Sequence, residues 1–379
     1  MRVLIAPDSF KGSLRATAVA DALAAGWLTA RPGDKVTRLP LADGGEGTLD
    51  VLAATVPGAR WHRARVTGPG GAPVTSRWLE LPGRTAVAEL AESSGLPLLA
   101  RPDPMGAQTT GLGEVLGRAL DTGADRILAG LGGSAATDGG TGALAALGAR
   151  FLDAAGRPLP PGGGALPALA RVDLNQLRPP PAGGVTCLTD VTAPLLGPRG
   201  AAPVFGPQKG AGAAQIARLE AGLARLGGLL GGDPAAPGAG AAGGTGYGLA
   251  TAWGAVLAPG AADLARLAGL DRAVAGADLV ITGEGRFDAT SLTGKTCGTV
   301  IAAAATAAVP VALVAGQVSG PLAGKWPALD GVPAPVVIIA LNELAGGTAA
   351  ALASPRRWLR RAARQLAAGV LARRPTVPY

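Results

Sequence analysis

At 379 residues the chain is long enough for about two domains, each with a buried core of its own. Its formal net charge of +8 would suit nucleic-acid binding, but the arginines are scattered and only 3% of the residues are aromatic, which leaves few stacking platforms between them. The two cysteines define neither a disulfide framework nor a zinc site, and there is no secretory signal or membrane-spanning run, so we expect a cytoplasmic protein that binds neither nucleic acid nor membrane.

The chain opens with an apolar segment, Val3 to Ala6, that predicts a buried strand. A polar loop follows at once, Pro7-Asp8-Ser9-Phe10-Lys11-Gly12-Ser13, and a helix is predicted from Ala16 to Trp27. Backbone N–H groups and a cation ahead of a helix N-terminus favour anion binding. The candidate residues in this loop are Asp8, Ser9, Lys11 and Ser13.

A second strand is predicted from Val36 to Leu41, and it runs into Asp43-Gly44-Gly45-Glu46. Two carboxylates among glycines suit a metal ion or a hydroxyl-rich substrate. A tight turn capped by Asp43 explains the same residues and stays open as an alternative. The candidate residues here are Asp43, Gly44 and Glu46.

The strand–helix rhythm weakens in the middle of the chain. Residues Val66 to Ala88 predict antiparallel strands, Thr109 to Asp121 a helix, and Ile127 to Leu131 a further strand. The glycine- and hydroxyl-rich segment Gly132 to Gly142 follows that strand in the order typical of a phosphate-binding loop. Its candidate residues are Gly133, Ser134, Thr137 and Asp138.

Two later segments add polar residues to the set. The run Val185 to Val191 places Asp190 near the end of a strand, and Val204 to Ala211 contains the candidates Gln208 and Lys209. The low-complexity segment Gly231 to Gly246 predicts a mobile loop, whose end is either a flexible turn or a nucleotide-facing loop.

The segment Asp278 to Asp288 carries the clearest strand-and-loop pattern. Its apolar run predicts a strand buried on both faces, and the glycines of Thr282 to Arg286 predict a sharp turn after it. Charged residues then meet at the carboxyl end of the strand, where α/β sheets bind ligands. A polar ligand or a metal ion is the favoured interpretation, and an internal Glu–Arg pair is the alternative. The candidate residues are Glu284, Arg286 and Asp288.

Lysine is rare, since only five of the 34 basic residues are lysines. Lys11, Lys209 and Lys295 lie in glycine-rich loops, and the compact charge of lysine suits a moving phosphoryl group. Gly294-Lys295-Thr296 ends like a Walker A motif, but Ala289 stands where its first glycine belongs and no strand directly precedes it. We therefore exclude a P-loop NTPase.

The remaining segments are predicted as a helix at Gly298 to Ala308, strands at Val311 to Gly316 and Val336 to Ala340, and a basic surface helix from Arg356 to Arg374. Five apolar strands in the order 2-1-3-4-5 would form a flavodoxin-like, doubly wound parallel sheet. The fold class is thus α/β, with residues 1–60 and 270–379 forming a discontinuous flavodoxin-like domain and residues 61–269 an inserted second α/β domain.

Taken together, these loops resemble the bacterial glycerate kinase family of the type that phosphorylates the 2-hydroxyl group. The resemblance runs in order along nearly the whole chain. Its motifs are Pro-Asp-Ser-Phe-Lys-Gly-Ser at 7–13, Ala-Asp-Gly-Gly-Glu-Gly-Thr at 42–48, Gly-Gly-Ser-Ala at 132–135, Asp138-Gly139-Gly140, Asp190-Val191, Val-Phe-Gly-Pro-Gln-Lys-Gly-Ala at 204–211 and Thr-Gly-Glu-Gly-Arg at 282–286. Where the family commonly has Pro after the Lys-Thr pair, this chain has Cys297.

The resemblance implies ATP- and Mg²⁺-dependent phosphorylation of D-glycerate, with 2-phosphoglycerate as product, in organic-acid and glyoxylate-linked metabolism. Such chemistry depends on positioning and on charge more than on covalent catalysis. His62, the sole histidine, lies outside every loop, so a carboxylate is expected to act as the base.

The expected roles fall into three groups. The catalytic residues are Asp190 (the favoured base), Asp8 (the second choice), Lys11 and Arg286. The residues expected to bind substrate and phosphate are Ser9, Ser13, Gly44, Gly133, Ser134, Thr137, Asp138, Gln208, Lys209 and Lys295. The metal is assigned to Asp43, Glu46, Glu284 and Asp288.

Rival functions remain open from the sequence. A kinase for another small hydroxy acid fits the same loops, and a dinucleotide-binding oxidoreductase shares the glycine-rich units, although no G-x-G-x-x-G follows the first strand. A non-enzymatic anion- or nucleic-acid-binding protein rests on charge alone. The expected partners are glycerate and a nucleotide, and the chain is either a monomer or a homodimer.

Overall fold

A computed structural model describes residues 1–292, 295–319 and 337–372, with side chains up to residue 369. The chain divides into two compact units. The first contains Met1–Asp43, Asp50–Thr55 and Ala261–Tyr379, and the second contains Gly44–Leu49 and Val56–Gly260. Gly294, Val336, Arg373 and Arg374, which belong to segments discussed in the sequence analysis, lie outside the described residues.

Strands and short helices alternate along most of the chain. The strands are β1 (Arg2–Ile5), β2 (Lys35–Arg38), β3 (Arg60–Thr67), β4 (Pro73–Leu81), β5 (Thr85–Glu89), β6 (Arg126–Gly130), β7 (Arg150–Leu152), β8 (Arg171–Asp173), β9 (Val185–Leu188), β10 (Val256–Ala258), β11 (Leu279–Phe287), β12 (Val311–Val318) and β13 (Val337–Ala340). The helices are α1 (Ala16–Ala30), α2 (Thr48–Thr55), α3 (Ala91–Ser94), α4 (Thr110–Asp121), α5 (Thr141–Ala146), α6 (Ala201–Phe205), α7 (Ala213–Leu230), α8 (Ala241–Trp253), α9 (Gly260–Leu267), α10 (Leu270–Ala275), α11 (Thr296–Thr306), α12 (Leu341–Ala345), α13 (Thr348–Ala353) and α14 (Pro355–Ala372).

The first unit is built on a parallel sheet in the order β2-β1-β11-β12-β13. Val3 and Ile5 of β1 pack in one hydrophobic cluster with residues of α1 and α14. Leu4 and Val280 pack in a second cluster with residues of α10 and α11, including Val300. Because successive side chains of a strand point to opposite faces, burial of both faces explains why these strands are continuous apolar runs.

The expected sharp turn after Ile281 is wrong, because β11 continues through the Thr-Gly-Glu-Gly-Arg motif to Phe287. The motif remains paired with β12 along its length. A Cβ on Gly283 would lie 1.9 Å from the carbonyl oxygen of Val314. A Cβ on Gly285 would lie 3.2 Å from Cα of Phe10. These glycines therefore allow close backbone approach rather than a turn.

The second unit contains a six-stranded sheet in the order β10-β9-β6-β5-β4-β3. Strands β3, β4 and β5 pair antiparallel, as their sequence predicts, and the other neighbours pair parallel. Strands β7 and β8 pair antiparallel in a separate two-stranded sheet. Helices α4, α5, α7 and α8 contribute buried residues to the core of this unit, which includes Leu112, Leu144, Leu223 and Leu249.

The prediction of a mobile loop across Gly231 to Gly246 is wrong at its C-terminal end, where α8 begins. Gly243 and Gly244 adopt left-handed φ angles of 67° and 88° and are buried. A Cβ on Gly248 would lie 2.1 Å from the carbonyl oxygen of Gly139. The glycines of this segment thus let α8 pack directly against the backbone of the 132–142 loop.

The basic helix α14 forms as predicted and packs against α1. Gly26 of α1 sits at the crossing, because a Cβ there would lie 2.3 Å from the carbonyl oxygen of Arg360. Leu359 and Leu366 are buried in the same contact, together with Trp27. None of the helices in the described ranges is both long enough and apolar enough to cross a membrane.

Candidate active site

Asp8 is a buried carboxylate in the loop that follows β1, with a relative exposure of 6%. Its N–H donates to the carbonyl oxygen of Gly283 at 2.8 Å, which ties the loop to β11. Burial raises the pKa of Asp8 to about 7, and the negative charge of Asp43 adds to the effect. The N–H of Ser9, the hydroxyl of Thr296 and the charge of Lys11 oppose this rise. The group therefore titrates in the range where a general base operates.

Lys11 and Asp43 form an ion pair at this position. The Lys11 Nζ lies 3.4 Å from Oδ2 of Asp43, and 73% of the lysine side chain is exposed against 7% of the aspartate side chain. The loop closes on itself, since the N–H of Ser13 donates to Phe10 at 2.8 Å and the N–H of Phe10 to Leu14 at 2.8 Å. The result is an exposed cation held above a pair of buried acids.

Glu284 is a half-buried carboxylate on β11, the strand that pairs with β1. Burial raises the pKa of Glu284, while Ser291 and Cys297 lower it by hydrogen bonding. Within the described residues, its buried Oε1 atom has no hydrogen-bond partner. Burial and the charges of Glu284 and Asp8 raise the pKa of the Cys297 thiol well above its ordinary value. The thiol is thus in the electrostatic field of both carboxylates.

The outer part of the site is formed by residues after β11. The Asp288 Oδ1 accepts from the N–H of Thr290 at 2.9 Å and from its hydroxyl at 2.6 Å, and these bonds lower the pKa of Asp288. The Lys295 Nζ donates to the Thr290 hydroxyl at 3.1 Å. Arg286 is exposed. Asp8, Lys11, Asp43, Glu284, Arg286, Asp288 and Lys295 thus belong to one unit, as their positions in the parallel sheet predict.

The metal assignment is spread over both units, because Glu46 belongs to the second unit and the other three acids to the first. Within the described ranges, no three histidine, cysteine, aspartate or glutamate side chains are grouped closely enough to hold a metal ion. Mg²⁺ is commonly bound through one or two carboxylates, with phosphate oxygens and waters completing its shell. Asp43 beside Asp8, and the buried Oε1 of Glu284, fit that mode of binding.

In the second unit, Asp138 organises the glycine-rich loop after β6. It is fully buried and accepts hydrogen bonds from the N–H and the hydroxyl of Thr109 at 2.9 and 2.8 Å. The N–H groups of Gly140 and Gly142 donate to it at 3.0 and 3.3 Å. Burial raises the pKa of Asp138, and these hydrogen bonds oppose the rise. The hydrogen bonds to this buried carboxylate therefore stabilise the conformation of the loop.

Lys209 lies inside the same loop. Its side chain is buried, and the Nζ donates to the carbonyl oxygen of Ala136 and to the Thr137 hydroxyl, the latter at 3.4 Å. Burial lowers the pKa of Lys209 to about 8, and the charge of Asp138 counteracts this. Its ammonium group thus faces protein oxygens rather than solvent. Neighbouring Gln208 is exposed, and the Ser134 hydroxyl accepts from the N–H of Ala136 at 3.2 Å.

Asp190 is exposed and follows β9, as expected. A similarly placed acid was missed by the sequence reasoning. Glu89, at the end of β5, is buried and accepts from the N–H of Leu49 at 2.6 Å and of Gly47 at 3.2 Å. It therefore holds the loop that contains Gly44 and Glu46. The signal was available, because Glu89 follows an apolar strand just as Asp190 does.

A sequence profile of the glycerate kinase family matches residues 3–371. The chain belongs to the glycerate kinase family. The chain is 43% identical over 330 residues to the glycerate kinase of Bacillus subtilis, covering 84% of this chain and 86% of that protein. It is 41% identical over 306 residues to the glycerate 2-kinase of Escherichia coli, covering 78% and 80%.

The fold of this glycerate kinase family member is also similar to a solved structure. The crystal structure of a protein assigned as glycerate kinase 2 from Salmonella typhimurium LT2 matches with a TM-score of 0.80 and 37% sequence identity, over 98% of both chains. The resemblance found in the loops is thereby confirmed. The mixed α/β architecture with parallel sheets is the one expected, and the chain is an enzyme of the kinase class.

Proposed function

We propose that this member of the glycerate kinase family transfers the γ-phosphoryl group of ATP to D-glycerate and releases 2-phosphoglycerate. The observation that carries the proposal is the buried Asp8, whose pKa is raised to about 7 beside Asp43 and Lys11. A base with a pKa near the working pH is most effective, because it is substantially ionised and still basic enough to take a proton. The cytoplasm and organic-acid metabolism are the proposed setting.

In this proposal Asp8 accepts the proton of the attacking hydroxyl group. The hydroxyl oxygen forms its bond to the γ-phosphorus as the bond to the β-phosphate oxygen breaks, and ADP leaves with that electron pair. Lys11 compensates the charge on the transferring group, since it carries a compact charge on a largely exposed side chain. A Mg²⁺ ion held by Asp43, with Glu284 and Asp288 as further acids, would neutralise the phosphate charge.

Asp190 remains the alternative base. It is exposed after β9, where it is free to reach a hydroxyl group, whereas Asp8 is buried. The remaining assignments to substrate or phosphate stay part of the proposal. They are Ser9, Ser13, Gly44, Gly133, Ser134, Thr137, Asp138, Gln208, Lys209 and Lys295, with Arg286 as a catalytic cation and Glu46 as a metal contact.

We also propose that residues 1–60 and 270–379 form a flavodoxin-like domain into which residues 61–269 are inserted. The parallel order β2-β1-β11-β12-β13 supports this, because it places β1 and β11 side by side across the long intervening segment. Loops at the ends of such neighbours form the ligand-binding edge of doubly wound sheets.

ATP consumption measured against a panel of small hydroxy acids tests the activity. D-glycerate is expected to react only with Mg²⁺ present, and phosphorus NMR should identify the product as the 2-phosphate. Turnover of a different acid in place of glycerate would contradict the proposed substrate but would still support a kinase. Reduction of NAD(P) without ATP consumption would instead support the oxidoreductase and contradict the proposal.

A further inference from the structure

Helix α14 presents a row of arginines on one face. Their spacing of three and four residues puts them on the same side of the helix, over about 10 Å of its length. All of them are exposed, whereas the opposite side is buried against α1 through residues such as Leu359 and Leu366. The row consists of Arg357, Arg360, Arg361 and Arg364.

These arginines have no acidic partner among the described residues. Some exposed arginines elsewhere do have one, such as Arg157, which lies 2.9 Å from Asp153. Like charges one turn apart on a helix repel each other and destabilise it. Binding of an anion would therefore lower the electrostatic energy of this row of four positive charges.

The row also has a defined shape. Its four arginines line a cleft of about 310 Å³. The guanidinium groups of Arg357 and Arg361 lie over the ring of Trp358, with 5.1 and 5.5 Å to its centroid. The Trp358 Nε1 in turn donates to the carbonyl oxygen of Ala350 at 3.0 Å, which fixes the ring. Two of the cations thus have a contact that favours this position before any ligand arrives.

The geometry argues against two large partners. The half-buried ring of Trp358 is covered by arginines, so it offers no free platform for a nucleic-acid base. In the part of α14 whose side chains are described, the large aliphatic residues that would enter a lipid surface, Leu359 and Leu366, are buried against α1. A cleft of this volume instead suits a small ligand.

We propose that the arginine cleft of α14 binds a small polyphosphorylated anion of about the size of tripolyphosphate. Guanidinium groups bind phosphate oxygens in pairs, and four of them match a ligand that carries several charges within about 10 Å. None of these arginines belongs to the candidate active site. The site would accept inorganic polyphosphate or a phosphorylated metabolite, which share the same chemistry.

Calorimetric titration of the full chain with sodium tripolyphosphate tests the proposal, with a non-hydrolysable ATP analogue present to fill the nucleotide site. The double variant Arg357→Gln/Arg361→Gln is expected to bind at least tenfold more weakly than the parent. The matched control is Arg63→Gln/Arg65→Gln, which removes the same charge from exposed positions on β3 and should bind like the parent. Unfolding temperatures of all three proteins establish that they are folded.

A second variant separates a built site from general attraction. Arg357→Lys/Arg361→Lys keeps the net charge but loses paired phosphate contacts, so we expect an intermediate affinity. Parallel titrations with a bisphosphorylated hydroxy acid, a single-stranded oligonucleotide and anionic vesicles identify the ligand source. Equal weakening in the glutamine variant and its control, no binding at millimolar tripolyphosphate, or tighter binding of oligonucleotide or vesicles would each overturn the proposal.

Discussion

The negative charge of Asp43 raises the pKa of Asp8, although the two residues follow different strands, β1 and β2. The strands are parallel neighbours, so their carboxyl ends bring the two acids to the same edge of the sheet. Burial makes the larger contribution to the shift, and the nearby charge of Lys11 only partly offsets it. The pair thus combines one carboxylate that titrates near neutral pH with a neighbour that forms an ion pair to lysine.

The first prediction concerns the pH dependence of catalysis. If Asp8 is the base, kcat/KM should rise with pH up to about 7 and then level off, because the free enzyme must lose that proton first. Asp8→Asn should lower kcat/KM by roughly 10²- to 10⁴-fold, the usual contribution of a general base. The control is Asp21→Asn, an exposed aspartate paired with Arg38, which should keep the parental profile. A parental rate in Asp8→Asn would return the role to Asp190.

The second prediction concerns stability. The pKa of Asp8 is about 7 in the folded chain and near its ordinary value of 3.8 in the unfolded chain. Between these values the folded protein holds a proton that the unfolded chain has lost, so the contribution of Asp8 to stability falls as pH rises from about 4 to about 7. Asp8→Asn lacks this titration and does not lose stability in this way. The free energy of unfolding of the variant minus that of the parent should therefore be larger at pH 8 than at pH 4, by up to roughly 4 kcal/mol.

Urea unfolding of the parent and of Asp8→Asn at the two pH values measures this difference. Asp138, whose pKa is also raised by burial, contributes equally to both proteins and drops out of the comparison. A difference between variant and parent that is the same at pH 4 and pH 8 would show that Asp8 titrates normally.

The third prediction concerns the loop lysines. Lys209→Arg should lower both the unfolding temperature and kcat/KM, since the enclosed ammonium site has no room for a guanidinium group. Lys11→Arg should lower kcat/KM alone, because its side chain is largely exposed. Lys35→Arg, on the exposed strand β2, is the control and should match the parent. Equal tolerance at all three positions would show that the rarity of lysine carries no functional information.

The fourth prediction concerns the glycines of β11. Gly283→Ala would place a methyl group 1.9 Å from the carbonyl oxygen of Val314, so β11 and β12 must separate. We expect a loss of about 2 to 3 kcal/mol or more in the free energy of unfolding. Gly33→Ala meets no atom within 4 Å and should change stability little. An unfolding curve of Gly283→Ala that overlays the curve of Gly33→Ala would contradict the observed packing.

The fifth prediction concerns the two thiols. Cys187 and Cys297 are both buried, and burial raises the pKa of each, that of Cys187 to about 12. A disulfide-exchange reagent should therefore modify neither thiol in the folded protein at pH 8 and both in denaturant. Rapid modification of one thiol in the native protein, located by peptide mapping, would show that its site opens to solvent.

The sequence alone determined the strands and loops that carry the candidate residues. Val3 to Ile5 and Val280 to Ile281 could be identified because a strand buried on both faces must be apolar throughout, and this property is local. Asp8 could be placed at the end of such a strand for the same reason, whereas Asp43 follows the exposed strand β2 and Glu284 lies within β11. The glycines misled the sequence reasoning at Gly283, because a turn and a close backbone approach require the same residue.

Only the tertiary structure decided what each charged group does. Lys209 is buried against the 132–142 loop, where its Nζ donates to Ala136 and Thr137, and this burial depends on chain segments distant in sequence. The raised pKa of Asp8 depends on its burial and on Asp43 and Thr296, which other elements bring beside it. A pKa reflects the solvent exclusion and the charges around a group in three dimensions, and spacing along the chain does not contain that information.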